Sequence, residues 1–101
     1  MSAGKPFQLR ITTPAGNCTD ATSVWLRDGR RLRVETTTVA SMRYSASSER
    51  PAYTVARGLH FVDGRWEEVL PWHAVPYIAD ATDTEAAHAV VADRVVEFLA
   101  A

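Results

Sequence analysis

Apolar and polar residues alternate through most of the chain, and the period becomes helical only near the C-terminus. Phe7, Leu9 and Ile11 interleave with Gln8, Arg10 and Thr12, the two-residue period of a half-buried strand. Pro14-Ala15-Gly16-Asn17 ends that strand with turn residues. Further strands are predicted over residues 21–26, 31–39 and 53–62, where Val, Leu, Thr, Phe and Trp are concentrated. Two Asp-Gly pairs, in Arg27-Asp28-Gly29-Arg30 and Val62-Asp63-Gly64-Arg65, mark hairpin turns between such runs. The segment after Thr82 repeats apolar residues at helical spacing. Ala87, Val91, Val95 and Phe98 form one stripe, widened by Ala92, Val96 and Leu99, and a helix is expected over about 83–99. Thr82, with Glu85 three residues on, reads as its capping box.

Parity chooses the loop of the first hairpin. If Val24 and Leu26 share the core face with Leu32 and Val34, a three-residue loop, Arg27-Asp28-Gly29, pairs Val24 with Leu32. Trp25, Arg31, Arg33 and Glu35 then lie on the opposite face, with Trp25 and Arg31 as cross-strand partners. The second hairpin admits either Phe61 opposite Trp66 or His60 opposite Trp66. Between the hairpins, residues 41–50 are Ser-rich and polar, and part of the stretch reads as a mobile loop, with Met42 and Tyr44 still able to join a strand. Pro71 and Pro76 exclude a helix and a central strand from residues 69–78, so a strand end, a turn near Trp72-His73-Ala74 and a short edge strand are expected. Together these elements predict an α+β domain spanning residues 1–101. It has a loose arm at 1–6, five or six antiparallel strands in a strongly bent sheet or partly open barrel, and one C-terminal helix.

Composition narrows the function classes without naming one. The chain has 101 residues, 47% apolar and 23% charged, with a net charge of −1. No global field favours nucleic acid or an acidic ligand. No run reaches a membrane span, and no apolar stretch follows a basic start, so a cytoplasmic location is expected. The lone Cys18 excludes an internal disulfide. Alanine-rich, arginine-favouring composition suits a small bacterial or bacteriophage accessory protein.

Candidate chemistry is sparse. His60, His73 and His88 have no partners at ligand spacing, so neither a metal nor a cofactor is expected. Cys18 has no neighbouring base, the serines of 41–48 no nucleophile elbow, and Glu67-Glu68 point to opposite faces of a strand. No catalytic residue is assigned and no enzyme is expected. Trp25, Trp66 and Trp72 are many tryptophans for so small a chain, and Trp with Arg is the usual anchor of a protein interface. The expected function is therefore a non-enzymatic interaction or adaptor module. Its partner surface comprises Trp25, Arg31, Arg33, Trp72 and His73, and it self-associates through Val91, Val95 and Phe98. Two alternatives stand beside it. One is single-stranded nucleic-acid binding by the Arg27–Arg33 hairpin, where arginines flank an aromatic. The other is a small-ligand or inhibitor protein with a pocket between helix and sheet or at a dimer seam.

The Asp63-Gly64 hairpin, followed by Leu70-Pro71-Trp72-His73-Ala74-Val75 and Tyr77-Ile78, resembles the closing portion of small SH3-like or Sm-like barrels, over about residues 55–78. The resemblance implies a strongly bent sheet and an adaptor-like role, with a last strand closing the barrel after a short turn. The glycine and asparagine positions of Sm RNA-binding motifs are not evident, so RNA binding is not carried over. The C-terminal helix also departs from the simplest barrels.

Overall fold

The computed structural model describes residues 6–15, 18–76 and 84–101. Along it run β1 (Gln8–Ala15), β2 (Cys18–Arg27), β3 (Arg30–Val39), β4 (Met42–Ser45), β5 (Ser48–Arg50), β6 (Tyr53–Val62), β7 (Arg65–Val75) and α1 (Thr84–Ala100). Five strands form one antiparallel sheet in the order β1-β2-β3-β6-β7, while β4 and β5 pair only with each other. The fold is α+β with a sheet that stays open. The barrel closure implied by the resemblance is absent because β7 does not turn at Trp72-His73-Ala74. It continues as an edge strand, absorbing Pro71 and two register shifts opposite residues 56–59. The Ser-rich stretch is the small β4–β5 hairpin, so Met42 and Tyr44 do lie in a strand and the expected loop shrinks to its turn. The capping box at Thr82, the strand through Tyr77-Ile78, most of the N-terminal arm and the Gly16-Asn17 turn lie outside the described residues.

Both Asp-Gly hairpins close with two-residue turns. Asp28 and Gly29 have φ of 51° and 76°, and Asp63 and Gly64 have 52° and 81°. Two consecutive positive φ values define a type I′ turn, whose twist matches the flanking strands. The three-residue loop predicted at Asp28 is therefore corrected. Trp25 lies opposite Leu32, Val24 opposite Arg33 and Arg27 opposite Arg30. In the second hairpin Phe61 lies opposite Trp66.

The one-residue change of register exchanges the faces of β2. Ala21, Ser23 and Trp25 join Leu32, Val34, Thr36, Thr54 and Ala56 on the face beneath α1. Val24 and Leu26 move to the helix-free face. The physical reason is size: an indole buries roughly 150–250 Å², more than either aliphatic neighbour, and Trp25 is 1% exposed beneath the helix.

Helix α1 buries His88, Val91, Ala92, Val95, Val96 and Leu99, spaced three and four residues apart along one stripe. The predicted stripe is thus rotated. His88 joins it, while Phe98 leaves it at 58% exposed. Close approach of the helix requires a residue without a side chain at Gly58. A Cβ there would sit 2.9 Å from Val95 Cγ1 and 3.0 Å from Leu99 Cδ1. The first hairpin also fastens the far end of the helix, since an Arg30 Nη donates to the Ala100 carbonyl at 3.1 Å. α1 has no basic residue in its last turn. Arg30 therefore supplies the positive charge that the helix C-terminus favours.

Candidate functional site

The helix-free face of the central strands is where charge and aromatic surface converge. Glu35 on β3 lies opposite Arg57 on β6, and Arg33 lies opposite Leu59, which in turn lies opposite Glu68 on β7. Directly opposed residues share a face, so these side chains meet. Arg57 Nε donates to Glu35 Oε1 at 2.6 Å, and its Nη1 donates to Glu68 Oε2 at 3.1 Å. Arg33 Nε lies 2.8 Å from the other oxygen of Glu35. Glu35 is thus gripped by two guanidinium groups. Its hydrogen bond, ahead of the charge of either carboxylate, holds the Arg57 proton more tightly than usual.

Each of these arginines also covers an aromatic ring. Arg57 lies 5.0 Å from the Trp72 ring centroid, Arg33 lies 5.7 Å from Trp66, and Arg31 lies 5.5 Å from Phe61. Phe61 and Trp66 meet edge to face at 5.2 Å. The result is a ladder of rings and ions across β3, β6 and β7. Beside it runs an open groove of about 920 Å³, bordered by Gln8, Arg10 and Thr12 of β1, Asp20, Thr22 and Val24 of β2, and Trp66 and Trp72 of β7. Asp20 is held in place by a hydrogen bond from Thr37 Oγ1 at 2.9 Å. The charged side chains bordering the groove are Arg10, Arg33, Asp20 and Glu35, two of each sign.

Of the residues expected at a partner surface, the fold brings Arg31, Arg33 and Trp72 to this face. Trp25 is corrected to the core, and its expected pairing with Arg31 does not form, since Arg31 lies opposite Leu26. His73 leaves the set too. It lies opposite Ala56 on the helix side, with its Nδ1 2.9 Å from the Pro71 carbonyl. Adjacent residues of a strand point to opposite faces, so Trp72 and His73 could not serve one surface once β7 ran straight through them. The expected self-association patch is also divided. Val91 and Val95 are buried against the sheet of their own chain, and Phe98 points away.

Glu35, Arg57 and Trp66 were missed as site residues. The two-residue turn at Asp63-Gly64 sets Phe61 opposite Trp66 on the face of Arg57, but Arg33 and Glu35 join them only through the pairing of β3 with β6, which neither turn fixes.

A second polar cluster lies beneath the helix. Trp25 Nε1 donates to Ser23 Oγ at 2.7 Å, Ser23 Oγ lies 2.7 Å from His88 Nε2, and His88 Nδ1 lies 2.7 Å from Thr36 Oγ1. With the indole proton already received, the Ser23 hydroxyl is free to donate to Nε2. His88 Nδ1–H then donates to Thr36, which fixes the neutral tautomer. Burial lowers the His88 pKa from 6.5 to about 4, so the ring is uncharged at neutral pH. Ser23 is fully buried and His88 is 1% exposed, so the pair ties helix to sheet out of reach of any substrate. Cys18 is no better placed for attack. Burial, then the neighbouring Asp20 carboxylate, raises its pKa and keeps the thiol protonated. Among the described residues, no three His, Cys, Asp or Glu side chains gather at metal-binding distance, and no helix is long and apolar enough to cross a membrane.

No family model, no curated protein and no solved structure matches the chain at a significant level.

Proposed function

We propose that the chain is a non-enzymatic protein-binding module that receives its partner on the helix-free face of the sheet. The observation that carries this reading is the groove between β1 and the Trp66–Trp72 wall. One face of the sheet is covered by α1, while the other presents two tryptophans backed by stacked, ion-paired arginines. Aromatic anchors held rigid by their neighbours lose little entropy on binding, which is why Trp and Arg dominate interface energetics. Trp72 keeps 44% of its surface exposed beside the groove. The groove offers alternating hydrogen-bonding and apolar surface, Gln8, Thr12 and Thr22 beside Val24 and the indoles, which suits a peptide segment with mixed side chains.

The charge balance of the face favours a protein partner over a nucleic acid. The groove balances two arginines with two carboxylates. The Arg27–Arg33 hairpin is occupied internally as well: Arg30 binds the helix terminus, Arg31 and Arg33 lie over rings, and Arg27 donates to the Leu26 carbonyl at 2.9 Å. A phosphate backbone would have to displace these contacts against flanking carboxylates. Aromatic faces already covered by guanidinium groups are also poor platforms for stacking bases.

The test compares affinity capture from host lysate by the intact chain, by Trp72→Ala and by Val90→Ala, a change on the outer face of α1. Loss of the same captured proteins with Trp72→Ala alone, with far-UV circular dichroism unchanged, supports the reading. Equal capture by all three chains overturns it. Capture of nucleic acid that declines steeply with salt transfers the face to the alternative.

A further inference from the structure

The floor of the groove is laid out in rows across β1, β2 and β3. Val24 lies between Gln8 and Arg33, Thr22 between Arg10 and Glu35, and Asp20 between Thr12 and Thr37. All three rows border the groove. Successive rows are two residues apart along each strand, so they repeat at about 6.4–6.8 Å.

The rows differ in the charge they leave to be met. In the first, Arg33 is paired with Glu35 at 2.8 Å and its guanidinium covers Trp66, so Val24 and the indole offer an apolar place. In the second, Glu35 is held by Arg33 and Arg57, while Arg10 is exposed. In the third, Asp20 accepts the Thr37 hydroxyl on Oδ1. Among the described residues, neither Arg10 nor Asp20 enters an ion pair. The groove is neutral as a whole but polar along its length, with a positive row between an apolar one and a negative one.

We propose that the groove takes an extended segment of a protein partner bearing an apolar, an acidic and a basic side chain at alternate positions, set in that order against Val24 with Trp66, against Arg10 and against Asp20. This deepens the reading of the groove as the partner site and rests on it. An extended chain repeats its same-side residues at the same spacing as the rows, so a stretch of about five residues covers all three and turns the two between them to solvent. A helix would present residues four apart instead, and so short a helix does not hold alone in water. Exchanging the acidic and basic residues would set like charges together at both Arg10 and Asp20, so the order of charges supplies specificity.

The test pans wild type, Trp72→Ala and Arg10→Glu against a displayed library of random nonapeptides. Arg10 is exposed and outside every ion pair, so Arg10→Glu is expected to keep the far-UV circular dichroism of wild type. Wild type is expected to enrich peptides with apolar, acidic and basic residues at alternate positions, read in either chain direction. A synthetic peptide of the enriched sequence is expected to bind Arg10→Glu about tenfold more weakly, since a partly exposed attraction is replaced by a repulsion of similar size. Changing its acidic residue to Lys is expected to restore binding to that variant. Peptides that need Trp72 but lack this order of charges, or carry it at four-residue spacing, overturn the inference and leave the groove as the partner site. So does equal binding to wild type and Arg10→Glu. Peptides that bind Trp72→Ala as well as wild type, or no enrichment at all, overturn the reading of the groove too. If Arg10→Glu fails to fold, Arg10→Gln and a peptide with Gln for its acidic residue form a double-mutant cycle, in which additive losses overturn the inference.

Discussion

Acidification isolates what the buried histidine contributes. His88 is enclosed between α1 and the sheet, with its ring nitrogens 2.7 Å from Ser23 Oγ and 2.7 Å from Thr36 Oγ1, and burial lowers its pKa to about 4 against an ordinary value of 6.5. Between those two values the unfolded chain binds a proton that the folded chain refuses. Stability therefore falls as pH falls. The contribution is intact above pH 6.5, declines through the window and is fully lost below about pH 4. Linkage over a shift of about 2.5 units amounts to about 3 kcal/mol in total, and the part already lost at pH 5 is about 2 kcal/mol. For a chain of this length that corresponds to a melting temperature lower by about 10 °C at pH 5 than at pH 7.5.

Carboxylates also respond to acid, so the assay is a comparison. Wild type and His88→Gln are unfolded in urea at pH 7.5, 6, 5 and 4.5. Glutamine keeps a polar group toward Ser23 but carries no titrating proton. At pH 7.5 the variant is less stable by about 1–3 kcal/mol, the cost of a buried polar group left without its partner. The difference then shrinks as pH falls, by about 2 kcal/mol at pH 5. Parallel pH profiles for the two proteins would refute the account, because they would mean that His88 does not refuse its proton in the folded state.

Three further outcomes follow from single contacts. Gly58→Ala pushes a methyl into Val95 and Leu99 and is expected to cost about 1–3 kcal/mol by denaturant unfolding, with hydrogen exchange rising along α1. Glu35→Gln loosens both Arg33 and Arg57; with Glu35 mostly buried but both arginines partly exposed, the loss lies between the surface and buried limits, about 2 kcal/mol, and is smaller in high salt. Arg30→Ala removes the contact to the Ala100 carbonyl and is expected to cost about 0.5–1 kcal/mol, seen as fraying of the last helical turn by NMR.

The parts of the fold legible in the sequence were those set by local rules. Tyr53–Val62 is bounded by Pro51 and the Asp-Gly turn, and the C-terminal helix by a sustained helical period. Both appear where the pattern places them, within a residue or so. Register was legible in principle and misread in one place. Parity of Val24, Leu26, Leu32 and Val34 treats four aliphatic residues as the core, whereas the turn chemistry at Asp28-Gly29 demands the opposite parity and the indole of Trp25 outweighs Val24 for burial. Strand residues alternate, so that single choice carried Trp25 from the partner surface into the core and left Glu35 on the helix-free face with new neighbours. Glu35, Arg57 and Trp66 meet only through pairing between β3, β6 and β7. Their sequence separations exceed any local motif, and two consecutive registers had to be right before they shared a face.

The same alternation ties the site to the stability of the fold. On β3, Leu32, Val34 and Thr36 point to α1 while Arg33 and Glu35 point to the groove, and on β6 Ala56 and Gly58 point to the helix while Arg57 points away. Each residue of the ladder is therefore held by neighbours in the core. Gly58 draws α1 onto the centre of the sheet, directly behind Arg57, and His88 ties the start of the helix to β2 and β3, behind the groove bordered by Asp20 and Thr22. A substitution beneath the helix can thus disturb the binding face without touching it. Trp25→Phe removes the indole donor to Ser23 and leaves a cavity beneath the helix, so any loss of partner capture that accompanies it would be transmitted through the sheet. Trp72→Ala acts at the face itself and should spare stability, and the contrast between the two variants separates a surface that is supported from one that is merely present.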